Sequence, residues 1–84
     1  MIRTVEVISG GAQREVAQAV ELGLDAYVTG EVSEPTLHYA KEEKIHFVSA
    51  GHYATEKFGV KALGNHLAER FDLEAVFIDI PNPV

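Results

Sequence analysis

His52 and Glu56, in Ala50-Gly51-His52-Tyr53-Ala54-Thr55-Glu56, set an imidazole and a carboxylate four residues apart just beyond an apolar run. On a helix beginning at Gly51 the two lie one above the other on a single face. Both side chains are good ligands for a borderline divalent ion such as zinc or iron. The start of a helix favours a carboxylate and disfavours a protonated histidine, so it keeps His52 in the neutral form that metals require. The same pair can instead cap the helix and complete a local hydrogen-bond network. Two ligands do not hold a catalytic metal, for which three protein ligands and a water are the usual minimum. Glu31, at the end of a neighbouring strand, is the best internal candidate for a third. His38 reads as a surface or flank residue of a helix, His46 opens a strand at the opposite rim, and His66 reads as a helix-flank residue facing solvent or a subunit contact.

The elements that position these residues alternate strand and helix. Thr4 to Ile8 is a β-branched run ending at Ser9-Gly10-Gly11, and Ala12 to Leu22 reads as a helix stopped by Gly23. Ala26-Tyr27-Val28 is a second strand, followed by a helix that Ser33 caps and whose first turn tolerates Pro35. Ile45 to Val48 is a third strand. A third helix carries Val60, Leu63, Leu67 and Phe71 in an apolar stripe, and Ala75 to Ile80 reads as a fourth strand. At about 100° per residue, Glu56 and His52 fall at roughly +20° and −20° from Leu63, so the pair is expected to point with the stripe, inward. The expected architecture is an α/β single domain over residues 1–84, with a mainly parallel four-stranded sheet in β-α-β-α-β-α-β order and helices packed on it.

A small residue plus glycine recurs at Ser9-Gly10, Thr29-Gly30 and Ala50-Gly51, each where a strand hands over to a helix. Right-handed crossovers would make the strands parallel and align the three turns along their carboxyl ends, the rim that open α/β sheets use for ligands. Gly10, Gly11, Gln13, Gly30, Glu31 and Gly51 are therefore candidate cleft-lining residues, although the glycines serve tight turns in any case.

Composition narrows the function. Seven basic and 13 acidic residues give a formal charge of −6, which argues against nucleic-acid and anionic-membrane partners. The absence of cysteine removes disulfides, zinc ribbons and thiol nucleophiles, and suits a cytoplasmic setting. No apolar stretch approaches a membrane span, and the first residues run into a strand pattern without signal-peptide character. Ser9-Gly10-Gly11-Ala12-Gln13 has neither the P-loop lysine nor a dinucleotide fingerprint, and no Gly-x-Ser-x-Gly elbow occurs.

Four segments stand in an order that resembles the C-terminal half of the Nif3-like family, the GTP cyclohydrolase 1 type 2 homologues. They are Ser9-Gly10-Gly11-Ala12-Gln13, Asp25 to Ser33, Ala50 to Glu56, and Phe77-Ile78-Asp79-Ile80-Pro81-Asn82-Pro83. Glu34-Pro35-Thr36-Leu37-His38 resembles the short bacterial members that lack an inserted domain. The resemblance implies a dinuclear metal centre (two zinc, iron or similar divalent ions) in an α/β protein that assembles as a ring-shaped homo-hexamer. It also implies that His52 and Glu56 are metal ligands. The remaining ligands, a histidine pair and an aspartate, belong to a missing N-terminal half. Metal-assisted hydrolysis with a bridging water as nucleophile is the chemistry such a centre suits. On this view the chain alone holds an incomplete site and is inactive. The alternative is a metal-free module that survives by self-association, motivated by the small core and an unpaired sheet edge.

Overall fold

The computed structural model describes all 84 residues, which form two compact units, Met1–His52 and Tyr53–Val84. The first contains strands β1 (Val5–Val7), β2 (Ala26–Thr29) and β3 (His46–Ser49), with helices α1 (Val16–Glu21) and α2 (Glu34–Glu42) in the crossovers. Helix α3 (His52–Phe71) begins at the last residue of this unit and makes up most of the second.

The sheet is parallel with order β1-β2-β3, and its register aligns Glu6, Tyr27 and Phe47 in one row and Val7, Val28 and Val48 in the next. Because each crossover advances one strand in the same direction, both helices fall on one face. Tyr27, fully buried, centres the core there with Val16, Ala19, Ala40 and Ile45, and its ring lies 5.6 Å from that of Phe47. The opposite face presents the valine row, with Val7 70% exposed and Val48 47%.

Local chemistry sets the helix limits. The expected helix from Ala12 to Leu22 opens as a 3-10 turn, Gln13–Glu15, before α1. It closes as a Schellman motif at Gly23, in which Leu24 N–H bonds the Ala19 carbonyl and Gly23 N–H the Val20 carbonyl, both at 2.9 Å. At the start of α2 the Ser33 amide donates to Thr36 Oγ1 at 3.4 Å and the two hydroxyls pair at 2.9 Å, with Pro35 in the first turn. On α2, Ala40 is buried and Leu37 is exposed.

Two expectations need correction. The sheet has three strands, not four, and the element order ends at α3. Residues 75–80 are rich in β-branched residues and alternate as a strand should, with Val76, Ile78 and Ile80 about three-quarters exposed and Phe77 41%. A strand exists only by pairing its backbone with another, and this chain gives the segment no partner strand. Instead it lies back along its own helix. The Lys61 ammonium sits 4.3 Å from the centre of the Phe77 ring, Tyr53 donates its hydroxyl to Asp79 at 2.7 Å, and Tyr53 N–H bonds the Val84 carbonyl at 2.9 Å. The second correction concerns the stripe on α3. No residue of α3 is buried, and Val60, Leu63 and Phe71 are each more than half exposed, so the stripe faces outward to solvent in this chain.

Candidate functional site

The glycine turns meet at the carboxyl ends of the strands. Gly30 N–H donates to the Gly10 carbonyl at 2.8 Å, and Gly51 N–H to the Gly30 carbonyl at 3.1 Å, so the three turns are stitched in the order of the sheet. Gly10 and Gly51 share a φ of +77°, the left-handed region that a side chain disfavours. Gly30 is required for another reason: a Cβ there would lie 2.7 Å from the Gly10 carbonyl oxygen.

Thr29 and Tyr27 brace this rim from beneath. Thr29 Oγ1 donates to the Gly10 carbonyl at 2.9 Å and accepts from the Ala12 amide at 3.2 Å, while the Tyr27 hydroxyl donates to the Ala12 carbonyl. Burial, with Glu15 and Glu6 nearby, raises the Tyr27 phenol above its ordinary range, so it remains a donor. Sequence patterning does not single out these two residues. Their visible signal is only an i, i+2 spacing on one face of β2.

His52 and Glu31 come together on the rim. Glu31 leaves the end of β2, His52 opens α3, and His52 Nε2 lies 2.7 Å from Glu31 Oε1, with the side chains 30% and 44% exposed. The Glu31 carboxylate rests on Gly11, where a Cβ would fall 2.8 Å from Cδ and Oε1. His52 Cε1 lies 3.5 Å from the place of a Gly30 Cβ. Glu56 follows one helical turn after His52 and is exposed. Gln13 stands apart from this pair. It lines a cavity of about 410 Å³ with Arg14, Val16, Ser33, Thr36 and Tyr39, and its Oε1 is buried without a hydrogen bond. His38, His46 and His66 are all exposed, and His46 opens β3 at the rim opposite His52.

His52 and Glu31 bring an imidazole and a carboxylate into contact, both donor types that suit a borderline divalent ion. No group of three or more His, Cys, Asp or Glu side chains in the chain could hold one. No helix is long and apolar enough to cross a membrane.

Known proteins share this arrangement of sequence and fold. The chain is 54% identical over 82 residues to a Yersinia pestis protein named GTP cyclohydrolase 1 type 2 homolog, covering 98% of this chain and 33% of that one. It is 48% identical over 83 residues to the Escherichia coli K12 protein of the same name, covering 99% and 34%. A solved structure described as protein ybgI, of unknown function, superposes with a TM-score of 0.83 at 50% identity, over 95% of this chain and 32% of that one. The crystal structure of TTHA1606 from Thermus thermophilus gives 0.71 at 38% identity, over 93% and 31%. The chain thus spans about a third of the length of the curated relatives it matches. With residues 1–83 matching the family described as Duf34/NIF3 (NGG1p interacting factor 3), the chain belongs to that family.

Proposed function

We propose that this chain is the metal-binding segment of a Nif3-like dinuclear metal protein, and that the complete protein is a metal-dependent hydrolase of the GTP cyclohydrolase 1 type 2 kind. The observation that carries this reading is His52 at the first position of α3, 2.7 Å from Glu31 on the glycine rim, with Glu56 one turn further on. His52 and Glu56 would be the ligands this chain contributes. The others come from the portion of the protein that the relatives have and this chain lacks. Divalent ions bound there supply Lewis acidity and activate water at neutral pH. The chain's own part is to present an imidazole and a carboxylate from a helix start, on a rim held by backbone hydrogen bonds. In the full-length protein two divalent ions per subunit are expected by elemental analysis, and His52→Ala should lower that number. Unchanged metal content in the variant would overturn the reading.

A second reading has a specific observation in its favour. The exposed apolar stripe of α3 and the valine row of the sheet suit a metal-free module that associates with further copies of itself. The ring-shaped hexamer implied by the family resemblance would be one such assembly.

A further inference from the structure

We propose that Glu31 is a positioning residue for His52, fixing both the orientation of its ring and which nitrogen carries the proton. The inference deepens the metal-binding reading and rests on it for its consequence, though not for its geometry. A carboxylate accepts hydrogen bonds and does not donate them. The 2.7 Å contact therefore requires a proton on His52 Nε2, and in the neutral form of the ring the lone pair lies on Nδ1. Metal-bound histidines are held in this way, with one nitrogen to the ion and the other donating to a carboxylate or carbonyl that sets tautomer and basicity.

Glu31 can do this because it is itself seated. Its Cδ and both oxygens occupy the space that a side chain at position 11 would need, within 3.0 Å of the Cβ site. Gly30, the residue before it, is pinned to Gly10 by a 2.8 Å backbone bond and leaves the His52 ring room at 3.5 Å. Two glycines and one carboxylate thus form the seat of the imidazole. Both members of the pair are partly exposed, so the contact contributes little to stability and its value lies in orientation.

Two measurements test the proposal, one on the 15N-labelled 84-residue chain and one on the 15N-labelled full-length protein. Long-range nitrogen–proton correlation should show the neutral His52 ring as a single tautomer protonated at Nε2. Glu31→Ala should convert it to a mixture, and Glu31→Gln, which keeps an oxygen acceptor, should restore the wild-type pattern in large part. Backbone amide shifts around Tyr27 confirm that each variant is folded. An unprotonated Nε2 in the wild type, or the same ring spectrum in Glu31→Ala, would overturn the assignment. Titration of the full-length protein with paramagnetic Co2+, read as broadening of the His52 signals, should need about 10–100-fold more metal in Glu31→Ala. Equal titrations would remove the link to metal binding. If wild-type His52 does not broaden in the full-length protein while its tautomer still depends on Glu31, the metal reading fails and the positioning role stands.

Discussion

Asp25 immediately precedes β2 and gathers the chain ahead of β1 onto it. Its Oδ2 accepts from the amides of Arg3 and Thr4 at 2.8 and 2.9 Å and from the Thr4 hydroxyl at 3.1 Å. The Thr4 hydroxyl in turn accepts from the Asp25 amide at 3.1 Å. The Arg3 and Thr4 amide bonds, then the Thr4 hydroxyl, hold the carboxyl below its ordinary value of 3.8. A carboxylate whose folded pKa lies below its unfolded one stabilises the fold above the unfolded value. That contribution is lost as pH falls through the folded value. Asp25→Asn should therefore melt at a lower temperature than the wild type at pH 7. The difference should shrink steadily below about pH 3.8, as the wild-type carboxylate takes up its proton in the unfolded and then the folded state. Thermal melts of both proteins from neutral to strongly acidic pH check this, and a pH-independent difference would contradict it.

At the scale of elements, the glycines of the rim and those of the helix should respond in opposite directions to the same substitution. A Cβ at Gly30 meets backbone, the Gly10 carbonyl at 2.7 Å, and backbone cannot swing aside as the end of a side chain can. Gly30→Ala is expected to cost about 1–3 kcal/mol, the usual range for overpacking. Gly59, in the middle of α3, has nothing within 4 Å of its Cβ site. Gly59→Ala should stabilise by about 0.5–1 kcal/mol through helix propensity. Denaturant midpoints of the two variants against wild type give both signs in one experiment. A tolerated Gly30→Ala would mean that the Gly10 and Gly30 turns separate without cost. The contrast shows what alternation alone conveys. A small residue plus glycine after each strand reads the same whether the glycine serves dihedral freedom, as at Gly51, or close approach, as at Gly30.

For the whole molecule, the apolar surface left open is large for a chain of this length. Val7 and Val48 on the sheet, Val60, Leu63 and Phe71 on α3, and Val76, Ile78 and Ile80 after it are all exposed. Extensive apolar surface of this kind associates in water. The isolated chain should therefore sediment as an oligomer at micromolar concentration, with a mass unchanged by chelator. A monomer would count against the self-association reading, and an oligomer that a chelator dissolves would tie assembly to metal. Much of this protein is legible in its residues. Strand and helix alternation, parallel order, the Ser33 start of α2 and the Gly23 stop all follow from local pattern and turn chemistry. Those signals act over a few residues and need no distant partner. The motif order likewise points to the Duf34/NIF3 family without reference to the fold. Tertiary structure decides what depends on a partner. Residues 75–80 have every local property of a strand, yet no ladder forms without a neighbouring backbone. The α3 stripe has helical periodicity, yet periodicity names a face and not what covers it. The pairing of His52 with Glu31 belongs to the same class. Residues 21 positions apart meet only because parallel strands bring successive turns to one rim, and because Gly11 leaves space there for a carboxylate.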